Sequence, residues 1–331
     1  MTHKYKNVYI KDAFTIAGPY ESDGPLSKYF DVKYQKDLYF GEKSWEKAEI
    51  KLMKESIEKI MKRNDLSENE IDLLIAGDLQ NQLAVSDYAA AKFKIPFLGV
   101  YNACATSSES LIIASNFIEN KMTKNCLCAI SSHNMAAEKQ FRNPTEYGTP
   151  KPKTATFTVT GASSILLTNK KTNIKIESST IGRVIDKNIN DVNNMGAVMA
   201  PAAADTIYSH LTKLNRQASY YDLILTGDLG IYGKEILIEY MKTAYNIDLS
   251  NNYDDCGTII YDLDKQPVLA GGSGPACSTL VNFSYIYKEM LKNKLQKVLI
   301  VPTGALFSPT MVFQKESIPA IAHAISLEVE L

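Results

Sequence analysis

The 331-residue sequence predicts an α/β protein made of two similar halves. Three observations carry this reading. Short apolar runs of strand length alternate with longer amphipathic segments, the pattern of layered α/β folds. The octet Asp72-Leu-Leu-Ile-Ala-Gly-Asp-Leu79 returns as Asp222-Leu-Ile-Leu-Thr-Gly-Asp-Leu229. A turn of small residues ahead of a helical pattern also occurs twice, once in each half. A repeat this long implies two halves packed about a pseudo-twofold axis, here residues 1–175 and 176–331.

In chain order, residues 7–31 read as irregular, broken by Gly18-Pro19 and Gly24-Pro25. Ser44 to Arg63 reads as a helix with Trp45, Ala48, Leu52, Ile57, Ile60 and Met61 on one face. Strand Leu73–Ala76 stops at Gly77-Asp78, and a helix over about Val85–Phe93 leads to strand Phe97–Val100. Next comes Gly99-Val-Tyr-Asn-Ala-Cys-Ala-Thr-Ser-Ser-Glu-Ser110, a turn of small residues opening a helix to about Lys121. Strand Cys126–Ser131 ends in Ser131-Ser-His-Asn134. Residues 138–153 are polar and carry three prolines, which predicts a long functional loop. Strands are expected at Ala155–Thr160 and Ser164–Thr168. In the second half, a helix over 203–214 precedes the repeated octet. The turn Leu269-Ala-Gly-Gly-Ser-Gly-Pro-Ala-Cys277 opens a helix over Thr279–Leu291, and strand Val298–Val301 runs into Pro302-Thr-Gly-Ala305.

Composition narrows the function. The chain has 36 basic and 37 acidic residues, and 45% of it is hydrophobic. Neither sign dominates, which argues against nucleic acid or anionic lipid as a direct partner. Five cysteines without a framework spacing read as reduced thiols. Cys126-Leu-Cys128 has the wrong spacing for a redox or zinc motif. No apolar run reaches membrane-spanning length, and Met1-Thr-His-Lys-Tyr-Lys has no signal-like apolar core. A soluble protein without signal peptide is expected, held at any membrane by other proteins.

The candidate site centres on Cys104. A helix start directs N–H groups and dipole at whatever sits there, which lowers a thiol's pKa and attracts anions. A buried structural cysteine is the alternative. His133 follows the next strand and is the histidine in plausible reach, though satisfaction by backbone partners is as good a reading. Asp78 and Asp228 are equivalent in the repeat. They either cap the following segment or face a cavity between the halves.

Several stretches carry a resemblance. The paired halves with a Cys turn resemble the thiolase and ketoacyl-synthase superfamily. Ser44-Trp-Glu-Lys-Ala-Glu49, Ala76-Gly-Asp-Leu79 with Asn81-Gln82, Ser131-Ser-His-Asn134 and Gln140-Phe-Arg-Asn-Pro-Thr-Glu-Tyr-Gly148 narrow it. So do Met199-Ala-Pro-Ala-Ala-Ala-Asp-Thr206, Gly271-Gly-Ser-Gly274 and Glu316-Ser-Ile-Pro-Ala-Ile-Ala-His323. Together they resemble the stage V sporulation protein AD family of spore-forming Firmicutes.

The resemblance implies a thiolase-like fold in five αβαβα layers, used for binding rather than turnover. It implies a ligand, dipicolinic acid (pyridine-2,6-dicarboxylate) or its calcium chelate, and no cofactor. It implies membrane partners among the other stage V sporulation proteins, and a place at the spore inner membrane, in machinery that moves this solute into the spore. Thiolase-like enzymes need C-terminal partners for the cysteine. Here the turn Gly271–Cys277 has no His, the last strand ends in Thr303-Gly304 without Cys, His or Asn, and Gly227-Asp228 stands where an Asn is usual. The resulting ligand-binding set is Cys104, Asp78, His133, Asn134, Asp228, Ser273, Gly304 and Arg142, the last as a bidentate carboxylate partner. Calcium tolerates irregular oxygen shells, so Asp78 or Asp228 could complete one around the chelate. His323, in the terminal segment Ile318–Ser326, reads as structural. The competing reading is an acyltransferase that uses Cys104 and His133.

Overall fold

The computed structural model describes residues 1–141 and 150–330. Each half contributes five strands in matching order. From its outer edge inwards the first half runs Phe97–Gly99, Leu73–Gly77, Asn125–Ser132, Gly161–Thr168 and Tyr9–Ala17. The second runs Tyr253–Asp255, Leu223–Thr226, Lys297–Val301, Ala320–Val329 and Ile174–Ile181. In both, the outer three strands are parallel and the inner two antiparallel. The repeated octets therefore occupy equivalent places. The innermost strands join the halves through Tyr9 opposite Lys175 and Ile10 opposite Ile174.

Strand periodicity sets the layers. Leu73 and Ile75 face one apolar core while Leu74 and Ala76 face another, because successive side chains alternate across a sheet. Helix Trp45–Arg63 covers the outer face of the first half through Leu52, Met53, Ile57 and Ile60. Helices Met195–Leu214 and Gly230–Tyr245 cover the second half. Between the two halves of the sheet lie helix Thr106–Glu119 and the helical run from Pro275 to Leu291, whose middle is a π-helical stretch, Val281–Ile286. The order is αβαβα.

Several expected boundaries shift. The stretch read as irregular contains strand Tyr9–Ala17, central to the molecule. Its core faces are hidden by Lys11-Asp12, where a register shift breaks the alternation. Helix Met195–Leu214 begins eight residues before the expected start because it runs through Pro201, a residue that ordinarily ends a helix. Of the expected strand Ala155–Thr160 only Phe157–Thr158 pairs, and it does so with Gly272–Ser273 of the other half. Ser44 caps its helix, its side chain accepting from the Lys47 N–H at 3.3 Å.

Candidate functional site

The Cys104 turn meets the second half at the centre of the molecule. Ala103 sits at φ 50, and Thr106 holds the turn by accepting from the Asn102 N–H at 2.9 Å while donating to the Ala103 carbonyl at 2.7 Å. Gly304 packs directly against this turn. A Cβ there would lie 2.5 Å from the Asn102 carbonyl oxygen and 3.2 Å from the Ala105 nitrogen. The glycine is required by that close approach.

Cys104 and Asp228 line a cavity of about 140 Å³ with Ser273 and Gly274. Leu79, Ala137, Met195, Met199 and Phe307 supply apolar walls, and Tyr101, Thr158 and Asn193 add polar groups. Such a volume suits one small ring and falls short of the roughly 300–1,000 Å³ of drug-sized pockets. Its charged lining residues, among those described, are Asp228 and Glu138. Glu138 is paired with Lys151 at 2.7 Å.

Asp228 is the chemical centre. One carboxylate oxygen accepts from Thr303 Oγ1 at 2.7 Å and the other from the Gly274 N–H at 3.2 Å. The Cys104 thiol lines the same cavity and lies close enough to feel this carboxylate. Gly274 reaches this position at φ 91, and its Cβ would come 3.0 Å from Ser132 Oγ. Burial pushes the Asp228 carboxyl up to about 7, against the hydrogen bonds from Thr303 and the Gly274 N–H that favour its ionised form.

Of the two readings of Cys104, the acidic thiol is not found. Burial first, and the Asp228 carboxylate second, push Cys104 well above the ordinary thiol range. The free N–H groups of the helix start do not outweigh a buried neighbour of like charge.

His133 and Asp78 do not line the cavity. The His133 ring is fully buried, donates from Nε2 to the Leu38 carbonyl at 2.7 Å and packs against Phe40. It lies on the outer-helix side of its strand, because its side chain follows Leu127, Ala129 and Ser131 in alternation. Burial lowers its pKa, so it is a neutral structural group rather than a base for Cys104. Asp78 accepts from the Gln80 N–H, the Ser86 N–H and Ser86 Oγ at 2.7, 2.8 and 2.6 Å. It caps its own segment, and both oxygens are engaged. The two aspartates are equivalent in sequence but differ in use. Asp78 binds the helix that follows it, whereas in the second half that duty falls to Asp255, which accepts from the Leu229 and Gly230 N–H groups at 2.9 Å and leaves Asp228 to the cavity.

Asn134 stands behind the wall. Its N–H donates to Thr160 Oγ1 at 2.9 Å and its amide to the Thr158 carbonyl at 3.2 Å, fixing the strand that carries Thr158. Ser273 lines the cavity, while Gly304 supports the turn beneath it. Arg142 lies outside the described residues. Among the described residues no cluster of three or more His, Cys, Asp or Glu is placed to hold a metal ion. The sequence reading missed Tyr101, Asn193, Met195, Met199 and Phe307. Tyr101 lies in the Gly99–Ser110 turn and Met199 opens the Met199–Thr206 motif, but neither was singled out for the site.

The sequence profile of the family Stage V sporulation protein AD matches residues 2–328. The chain belongs to the stage V sporulation protein AD family. Stage V sporulation protein AD of Bacillus subtilis is 47% identical over 321 residues, covering 97% of this chain and 94% of that protein. A role in sporulation goes with the family. Among solved structures, a variant of OleA from Xanthomonas campestris is 13% identical with a TM-score of 0.63, covering 98% of this chain and 99% of that one. The 3-oxoacyl-acyl-carrier-protein synthase III of Aquifex aeolicus is 13% identical with a TM-score of 0.53, covering 99% and 100%. These two likenesses establish the thiolase-like fold of this family member. Among its described residues no helix is long and apolar enough to cross a membrane.

Proposed function

We propose that this chain is a non-catalytic binding protein for dipicolinic acid, as the free acid or its calcium chelate, within the machinery that moves it into the developing spore. The observation that carries the reading is the Cys104–Asp228 pair. The fold's cysteine shares the cavity wall with a buried carboxylate, and no histidine is among the described lining residues. That arrangement suits a cavity wall and opposes nucleophilic attack.

The cavity fits one planar ring between Met195, Met199 and Phe307, with Ser273, Thr158, Asn193 and Tyr101 for polar contacts. A free dianion would meet Asp228 without a cation among the described lining residues. Either proton uptake by Asp228 or a calcium ion carried by the ligand offsets that repulsion. Membrane partners of the sporulation machinery would hold the protein peripherally at the spore inner membrane.

Isothermal titration with dipicolinate, with and without calcium, tests the reading. Saturable one-to-one binding is expected in at least one condition, and its absence in both overturns the proposal. Mass spectrometry after incubation with acyl-CoA thioesters tests the acyltransferase alternative. An acyl adduct on Cys104 would replace the binding reading with an enzymatic one.

A further inference from the structure

Glu21 has no exposed surface and sits in the short helix Pro19–Ser22. One of its carboxyl oxygens accepts twice, from the Thr160 N–H at 3.0 Å and from the Tyr261 hydroxyl. The other is buried without a partner among the described residues. Burying a carboxyl in this way is costly. The two donors it gathers belong to different halves of the chain, 139 and 240 residues away.

Both donors are built into one wall of the Cys104 cavity. Thr160 ends the segment that crosses to the second half. In that segment the Phe157 N–H donates to the Gly271 carbonyl and the Val159 N–H to the Ser273 carbonyl, each at 2.8 Å. Phe157 pairs with Gly272 and Thr158 with Ser273, and these two pairs are the whole of this two-stranded sheet. So short a pairing is not stable by itself. Tyr261 packs on it. Its ring meets Phe157 edge-on at 5.8 Å, and a Cβ on Gly272 would lie 3.2 Å from its Cε2. Thr158, Ser273 and Gly274 line the cavity, and the Gly274 N–H donates to Asp228. Glu21 is not among the lining residues.

We propose that Glu21 is a positioning residue for the Cys104 cavity. Its carboxyl ties the Thr160 backbone of one half to Tyr261 of the other, and so holds the paired segments that present Thr158, Ser273 and Gly274. The inference rests on this cavity being the dipicolinate site.

The test compares Glu21→Gln, which keeps the acceptor oxygen, with Glu21→Leu, which removes it at similar size. Both are studied at pH 6, below the value of about 7 to which burial raises Glu21 and Asp228, so the variants differ in hydrogen bonding rather than charge. Hydrogen exchange read by mass spectrometry, without ligand, reports on the wall directly. Glu21→Leu should speed exchange severalfold over residues 155–160 and 270–274, and leave strands Leu73–Gly77 and Leu223–Thr226 at wild-type rates. It should weaken dipicolinate binding roughly tenfold, the scale of one lost hydrogen bond. Glu21→Gln should recover most of both effects. If Glu21→Leu does not fold, Tyr261→Phe, which removes one of the two donors, replaces it in both measurements. Unchanged exchange in the wall overturns the proposal. So does faster exchange throughout the molecule, the mark of a purely structural role, or Glu21→Gln behaving as Glu21→Leu does. Wild-type affinity in folded Glu21→Leu overturns it as well. A wild type that binds no dipicolinate overturns the binding reading instead, and exchange alone then decides what Glu21 does for the wall.

Discussion

The side-chain amide of Asn102 lies 2.8 Å from Nε2 of His323, joining the Cys104 turn to the long strand near the chain's end. His323 Nδ1 accepts from the Gly182 N–H at 3.1 Å, which leaves Nε2 as the protonated nitrogen of the neutral ring. A donor there requires an acceptor, so the oxygen edge of the Asn102 amide is the one that satisfies it. Burial holds the ring neutral by taking its pKa down to about 4. The histidine read from sequence as structural does prove to be partnered on both nitrogens, and what it supports is the turn that carries Cys104.

Cys104 separates binding from catalysis. Cys104→Ser keeps the approximate size of the side chain beside Asp228. Dipicolinate affinity should stay within roughly tenfold, or about 1.4 kcal/mol. Cys104→Trp should fill the cavity and abolish binding. Overpacking costs about 1–3 kcal/mol, so a melting curve must first show a folded protein. Wild-type affinity in folded Cys104→Trp would place the ligand elsewhere.

Asp228 should link ligand affinity to pH. Its carboxyl, raised to about 7 by burial, is ionised above that pH and repels a dicarboxylate. Without calcium, affinity should therefore rise as pH falls from 8 to 6, around about 7, before the ligand itself protonates. Asp228→Asn should bind with nearly the same affinity across the window. Titrations at several pH values check this, and a wild-type affinity that rises with pH would refute it.

Glu21 should tie stability to pH. It is fully buried, accepts from the Thr160 N–H at 3.0 Å and from the Tyr261 hydroxyl, and burial raises its pKa to about 7. The folded state thus binds this proton more tightly than the unfolded state. The associated stability is complete below the unfolded value near 4.5 and is lost as pH rises toward about 7. The loss is on the order of 3 kcal/mol. Glu21→Gln should flatten denaturant stability over that window, whatever its effect at a single pH. An unchanged slope would show that other groups dominate.

Gly304 is expected to tolerate no side chain. The Cβ of Gly304→Ala would sit 2.5 Å from the Asn102 carbonyl oxygen, so backbone must shift. A stability loss of about 1–3 kcal/mol should accompany weakened dipicolinate binding, because the displaced turn carries Cys104. Calorimetric melting and titration together test it; unchanged values for both would show that the turn yields freely.

The sequence by itself determined the fold class and its symmetry. The octets beginning at Asp72 and Asp222 carry the same alternation of apolar residues into the same strand position, because that position has the same neighbours in each half. It also determined the capped helix Trp45–Arg63 and the turn at Cys104, both local patterns. The innermost strands escaped it. Tyr9–Ala17 and Ile174–Ile181 carry polar residues among their apolar ones, and it is the rest of the sheet that makes them strands. Only the tertiary structure decided which acid served the cavity. Asp78 and Asp228 occupy the same place in the repeat, but Ser86 claims the first, while Asp255 takes over the helix start beside the second. Whether Cys104 is acidic was likewise undecidable from its turn, since its pKa is set first by burial and then by a carboxylate more than a hundred residues away in the chain. Local hydrogen bonding is written in neighbouring residues; burial and the sign of the nearest charge are properties of the packed chain.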